Sequence, residues 1–307
     1  MRPESRFALP PADGGTVCTV GTFDGVHRGH RLVLERLGDA ARRFGLPSVL
    51  VTFEPHPLLV VNPAAAPPLL TVGIERLEAL AGTAVDYVVV LPFTTALAAF
   101  GAEEFVDVVL RGRLGLRHLL VGYDHGFGRG RSGDATVLQG LGAARGFGVE
   151  LVPPVEGADG RPISSTGIRR AIAGGDLARA ADGLGRPYAA AGRVVPGAGR
   201  GRTLGFRTLN VALEGPHKLL PPEGVYAVRV QTPRGPFGGM MNLGPRPTFD
   251  EPEPVLEAHL FDVEADFYGH PVRIDFVGRL RETRRFPDPD ALRRQLAADE
   301  RAARKLL

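Results

Sequence analysis

The apolar positions of the chain change rhythm near its middle. In the first half, unbroken apolar runs alternate with stretches whose apolar residues recur every three and four positions, as buried strands alternate with amphipathic helices. Residues 16–20 read as a first strand, and Val33, Leu34, Leu37, Ala41 and Phe44 mark one face of a first helix. A second strand at 48–53, a helix at 74–80, a third strand at 86–91, an amphipathic helix at 102–110 and a fourth strand at 118–122 continue the alternation. Such an order predicts an α/β domain with a parallel sheet. A short helix at 176–184 leads into Gly185-Arg186-Pro187-Tyr188, where the pattern changes. Short β-runs at 189–195, 225–230, 238–243, 255–260 and 272–280 follow, punctuated by Gly and Pro, with a final helix over 289–305. That spacing predicts a small antiparallel barrel. The expected domains are therefore 1–186 and 187–307.

Composition narrows the possibilities. With 307 residues, 44% hydrophobic and 23% charged, each half can bury its own core. One cysteine excludes an internal disulfide framework and suits a reducing cytoplasm. Residues 1–15 lack the apolar core of a signal peptide, and no run approaches the roughly 18 apolar residues of a membrane span. A net charge of +3 with scattered basic residues argues against a nucleic-acid partner. Lys218 and Lys305 are the only lysines, so no Gly-Lys-Ser/Thr phosphate loop exists.

The chemistry concentrates in Gly21-Thr-Phe-Asp-Gly-Val-His-Arg-Gly-His30, between the first strand and the first helix. Ligands of open α/β sheets gather at that edge. Gly21, Gly25 and Gly29 permit close approach of a ligand. A helix N-terminus favours phosphate, and two imidazoles can donate to developing negative charge. Zinc would need ligands beyond this pair. Thr52-Phe-Glu-Pro-His-Pro57 ends the second strand in a stiff turn presenting His56. Gly122-Tyr-Asp-His-Gly-Phe-Gly-Arg-Gly-Arg-Ser-Gly133 reads as a mobile covering loop, with Asp124 and Arg129 polar and Phe127 able to stack. Its formal G-x-G-x-x-G does not follow its strand directly, and Glu150 precedes rather than ends the next strand, so a dinucleotide fingerprint is disfavoured. Ser164, Ser165, Thr166 and Arg169 suit either an ordinary helix cap or a polyphosphate clamp.

The second half carries Gly197 to Asn210, rich in Gly and Arg, then Asn242 to Phe249, and Glu257-Ala-His-Leu-Phe-Asp262. Strand, glycine-punctuated loop, His-x-Gly-His and helix resemble the HxGH nucleotidyltransferases. All the motifs together resemble the bacterial bifunctional riboflavin kinase/FAD synthetase family. The resemblance implies a Rossmann-like HxGH nucleotidyltransferase domain followed by a β-barrel kinase domain with a C-terminal helix. It implies riboflavin, FMN and ATP as small-molecule substrates, FAD as product and Mg²⁺ as metal. Carried over by position, His27 and His30 would stabilise charge on the α-phosphate of ATP. Gly21, Phe23, Asp24 and Gly29 would border the nucleotide, and Ser164, Ser165, Thr166 and Arg169 would hold pyrophosphate. His56, Asp124 and Phe127 would lie near the flavin. In the kinase, Thr208 and Asn210 would bind the metal, Gly201 and Gly205 the nucleotide, Asn242 and Arg246 the flavin, and Glu257 would take the proton of the terminal ribityl hydroxyl. The family's Gly-Phe-Pro-Thr-Ala-Asn reads here Gly205-Phe-Arg-Thr-Leu-Asn210.

Three rival readings fit parts of the pattern. Another HxGH adenylyltransferase, for a nicotinate or pantetheine phosphate, leaves the second half unexplained. A non-catalytic flavin or nucleotide sensor sits poorly with intact His27, His30, Thr208, Asn210 and Glu257. A nucleic-acid-binding module has the charge argument against it.

Overall fold

A computed structural model describes residue 10 and residues 14–123, 126–197, 206–245 and 254–307. The chain forms two compact units, one of residues up to Pro68 plus Arg76–Ser164, the other of Leu69–Glu75 plus Ser165–Leu307.

In the first unit, β1 (Thr16–Val20), β2 (Ser48–Glu54), β3 (Tyr87–Pro92), β4 (Leu116–Gly122) and β5 (Gly148–Val152) pair in parallel in the order β3-β2-β1-β4-β5. Every residue of β1 is buried, because helices cover parallel sheets on both faces. The helices are α1 (Arg28–Phe44), α2 (Pro57–Val61), α3 (Ile74–Ala81), α4 (Thr95–Ala98), α5 (Ala102–Glu104) and α6 (Ala135–Arg145). The strand order reverses between β1 and β4, so the crevice at their C-terminal ends is the place for a ligand. Cys18 lies in this core, and burial pushes its thiol up to about 12, which keeps it protonated and unreactive.

Three local expectations are corrected. The helix expected at 102–110 is α-helical only over Ala102–Glu104 and continues as a π-helix over Phe105–Arg111. Its buried set Phe105, Val106, Val109 and Leu110 repeats every four residues, a spacing that α and π turns both accommodate. Phe44 is 47% exposed, since it ends α1 and leans on Arg43 and His118 rather than the core. Glu150 lies inside β5, where its carboxylate meets Arg43 at 3.0 Å.

The second unit holds α7 (Ser165–Ala173) and α8 (Leu177–Leu184), followed by a closed barrel. Its strands are β6 (Tyr188–Val195), β7 (Leu209–Leu213), β8 (Gly224–Thr232), β9 (Gly235–Pro245), β10 (Pro254–Leu260) and β11 (Pro271–Arg281), in the order β10-β7-β6-β11-β8-β9. The pairs are antiparallel, and β10 closes the ring by pairing with both β7 and β9. Buried Val211, Leu256 and Leu243 stand abreast across β7, β10 and β9 and face the interior. The C-terminal helix α9 (Pro289–Leu306) starts with Asp288 as cap, its carboxylate accepting from Ala291 N at 2.7 Å.

Residues Leu69–Glu75 pack into this same unit. Leu69 exchanges backbone hydrogen bonds with His217 and Leu219. Lys218 Nζ meets Glu75 Oε2 at 2.5 Å and Leu70 O at 2.8 Å. Glu75 also accepts from Ala191 N at 2.6 Å and Val72 N at 3.1 Å. A buried ion pair is tolerable only with its remaining lone pairs satisfied in this way.

Candidate active sites

The loop after β1 turns through unusual backbone. Phe23 at φ 49° and Val26 at φ 40° occupy the left-handed region although neither is glycine. For a β-branched residue this is an outlier, and each such position costs about 1–3 kcal/mol. Packing holds it: Phe23, Asp24, Val26 and His27 are all at least 94% buried. Hydrogen bonds hold it too. Gly21 N donates to Val51 O at 3.0 Å, Val26 N to Phe23 O at 3.1 Å, and Thr52 Oγ1 to Thr22 O at 3.2 Å.

The loop delivers the histidines together. His27 caps α1, its Nδ1 accepting from His30 N at 3.2 Å. Accepting at Nδ1 leaves Nε2–H as that ring's donor. The two imidazoles stack with centroids 3.6 Å apart, and the Phe23 ring stands 4.9 Å from His30. A side chain at Gly29 would press on the His27 ring at about 3.1 Å, and Ile163 O lies 3.7 Å from the same point. The chain entering Ser164 therefore passes beside the histidine loop. The first turn of α1 carries no acid, so its N-terminus keeps its positive end toward an anion.

Other expected residues are more scattered. His56 caps α2 at the end of β2, accepting from Leu58 N at 3.2 Å. Ser165, Thr166 and Arg169 ride on the first turns of α7, with Thr166 exposed. Phe127 is 8% exposed, its ring 5.2 Å from Phe105 in the core. The ring expected to stack on a ligand thus has packing partners of its own. Asp124, Gly201, Gly205 and Arg246 lie outside the described residues.

On the barrel, β-pairing builds a polar row. Glu257 on β10 stands opposite Asn210 on β7 and Asn242 on β9, so the three side chains share the outer face. Thr208 Oγ1 donates to Glu257 Oε1 at 2.6 Å. That commits the hydroxyl proton and leaves its lone pairs for a cation. His259, also on this face, donates from Nδ1 to Arg207 O at 2.7 Å, which pins the turn carrying Thr208. Gly197 stands against the row: a Cβ there would sit 1.8 Å from Asn210 Nδ2 and force that side chain to move. The described residues hold no cluster of three or more His, Cys, Asp or Glu fit for a metal. The oxygens of Thr208 and Asn210 are hard donors that suit Mg²⁺ sharing its shell with phosphate and water.

Two arrangements emerge only in the fold. Arg76 on α3 is buried, ion-paired with Glu54 and 3.4 Å from Thr22 O. A cavity of about 460 Å³ is lined by Arg284, Arg285, Phe286, Ala291, Arg294 and Gln295. Thr283 Cγ2 and Asn242 Nδ2 each lie 3.8 Å from where a Gly244 Cβ would be, and Thr283 immediately precedes the lining residue Arg284. Arg281 and Gln295 converge on buried Asp299, at 2.7 Å and 2.6 Å, and steady that wall.

Comparison with known proteins gives one family match in each half of the chain. A family model described as FAD synthetase matches residues 9–167, and one described as riboflavin kinase matches residues 184–307. A bifunctional riboflavin kinase/FMN adenylyltransferase of Escherichia coli K12 is 42% identical over 95% of this chain and 92% of its own. The enzyme of that name from Pseudomonas fluorescens is 42% identical over 97% and 95%, and that from Bacillus subtilis 35% identical over 94% and 91%. A crystal structure described as a macrolide-efflux protein from Streptococcus pneumoniae superposes with a TM-score of 0.85 at 33% identity, covering 96% of this chain and 95% of that one. Among the described residues, no helix is long and apolar enough to cross a membrane.

Proposed function

The chain belongs to the bifunctional riboflavin kinase/FMN adenylyltransferase family, and from that premise we propose how its own residues carry the two reactions. In the first unit, an FMN phosphate oxygen attacks the α-phosphorus of ATP, and the bond to the bridging oxygen breaks to release pyrophosphate. His27, through Nε2–H, and His30 donate to the α-phosphate oxygens as charge builds there. The observation that carries this is the stacked pair at the N-terminus of α1, on the crevice side of the sheet. Gly21, Phe23, Asp24 and Gly29 shape the nucleotide wall, and His56 and Asp124 face the flavin. Ser164, Ser165, Thr166 and Arg169 hold the departing pyrophosphate with hydroxyl and charge-assisted bonds. Phe127 supports the wall from behind.

In the barrel, the terminal ribityl oxygen attacks the γ-phosphorus of ATP, and the bond to the β–γ bridging oxygen breaks to release ADP. Glu257 removes its proton at Oε2, because Oε1 already accepts from Thr208. Thr208 and Asn210 would hold Mg²⁺, which when bound neutralises phosphate charge. Gly201 and Gly205 border the nucleotide, and Asn242 and Arg246 the flavin. The cavity beside Gln295 is large enough for a ring system, and its arginines, Arg284 over the Phe286 ring among them, offer planar surface and donors. Catalysis in both sites rests on positioning and electrostatics. The single cysteine supports a cytoplasmic setting.

The test is direct. Incubation with riboflavin, ATP and Mg²⁺, followed by separation of the flavins, is expected to yield FMN and then FAD. Chelation of the metal is expected to stop both steps. FMN without FAD, or FAD only from added FMN, would remove one half of the reading. A narrower expectation concerns Gly197. Gly197→Ala drives a methyl group into the Asn210 amide, and should lower FMN formation while FAD synthesis from added FMN continues.

A further inference from the structure

We propose that Arg76 is the positioning residue of the adenylyltransferase site, the group that fixes the strained histidine loop to the end of β2. The proposal rests on the reading that His27 and His30 act in adenylyl transfer.

The loop cannot hold its shape from local preference, since Phe23 and Val26 sit at φ 49° and 40°. Its first carbonyl beyond Gly21, Thr22 O, is the anchor. That oxygen has two lone pairs and two donors, Thr52 Oγ1 at 3.2 Å and Arg76 Nη1 at 3.4 Å. Thr52 belongs to β2 and reports only that strand's position. Arg76 does more, because its other nitrogen, Nη2, pairs with Glu54, the last residue of β2. From Glu54 the chain runs through Pro55 directly into His56. One planar guanidinium thus ties the loop leading to His27 and the turn bearing His56 to a common point.

Burial argues for a purpose beyond surface pairing. The Arg76 side chain is 9% exposed while that of Glu54 is 60% exposed. A guanidinium taken out of water needs compensation, and here the compensation comes from two site-bearing loops rather than from its own helix. Lysine could not substitute fully, since a single ammonium lacks the rigid fork that serves both acceptors. A misplacement of about 1 Å at reacting groups can cost about 10²-fold in rate, so a loop anchor acts on kcat.

The experiment uses the full chain, with kcat and KM measured separately for ATP and FMN, and riboflavin phosphorylation and Tm recorded on the same samples. Arg76→Met is expected to lower the kcat of FAD formation about 10–10²-fold with KM for ATP little changed. Riboflavin phosphorylation should be unaffected, and Arg76→Lys should recover part of the loss. A Met variant with normal kcat overturns the proposal. So does a parallel fall of both activities with Tm, or a Lys variant no better than Met. If Arg76→Met does not fold, Glu54→Ala removes the Nη2 partner of Arg76 at an exposed position and frees the anchor at that end. Reduced kcat there supports the anchor, and unaltered kcat overturns it. His30→Ala runs beside these as a control. If it leaves FAD synthesis intact, the histidine reading itself fails. If it abolishes synthesis while the Arg76 and Glu54 variants are normal, only the present proposal fails.

Discussion

Replacing His27 or His30 is expected to slow FAD formation about 10²–10³-fold, or about 2.7–4 kcal/mol, the usual cost of deleting a preorganised donor to developing charge. Riboflavin phosphorylation on the same polypeptide should continue at its normal rate. The two residues need different variants. His27 also caps α1 through Nδ1, and losing a cap costs about 0.5–2 kcal/mol of stability. His27→Ala therefore removes a donor and a cap together, and its Tm should fall. His27→Asn keeps a side-chain acceptor for the helix while deleting the Nε2 donor, so its Tm should recover and its FAD synthesis should not. His30 contributes only its backbone N–H to the cap. His30→Ala should thus lower the rate with little change in Tm. Steady-state FMN adenylylation beside thermal unfolding separates these effects. Undiminished FAD synthesis in both His27→Asn and His30→Ala would remove the pair from the reaction.

The sequence was informative where the local pattern and the tertiary environment agree. The buried run of β1 and the three- and four-residue spacing of Val33, Leu34, Leu37 and Ala41 describe elements that the fold keeps. The missing barrel strand shows the opposite case. Leu209–Leu213 forms β7, where Asn210 interrupts a short alternation of apolar Leu209, Val211 and Leu213 that directly follows a Gly/Arg-rich stretch. Without β7 the ring cannot close, because β6 and β10 both pair with it. The π turn after Glu104 was equally invisible, since a four-residue repeat fits α and π geometry almost alike. At the sites, contiguous motifs were legible and long-range supports were not. Arg76 belongs to a helix with no motif of its own, and only the fold brings it to Thr22 and Glu54. Phe127 illustrates the same long-range dependence. Its glycine-rich neighbours suggest exposure, while Phe105, 22 positions earlier, supplies the partner that buries it.

Glu257→Gln should depress FMN formation about 10²–10⁴-fold, the usual contribution of a general base, and leave FMN-to-FAD conversion alone. The amide is the informative replacement because of what surrounds the carboxylate. Thr208 donates its hydroxyl proton to Oε1 at 2.6 Å, and a glutamine carbonyl can accept that same bond. The Thr208 hydroxyl then keeps its orientation, and with it the lone pairs assigned to the metal. Register also protects the arrangement, since Asn210 and Asn242 flank position 257 through backbone pairing that a side-chain change does not touch. What glutamine lacks is the basic oxygen. Glu257→Ala removes both functions, leaves Thr208 without its acceptor, and should weaken metal-dependent ATP binding besides lowering kcat. The expected contrast is a Gln variant with lowered kcat and nearly normal KM for ATP, against an Ala variant in which both change. The turn at Arg207 enters through His259, whose Nδ1–H holds the Arg207 carbonyl and supplies restraint where the family's proline is absent. His259→Ala should therefore shift the ATP KM more than kcat. Equal loss of FMN and FAD formation in Glu257→Gln would assign this residue to the fold, and a Gln variant with unimpaired kinase turnover would leave the barrel without its base.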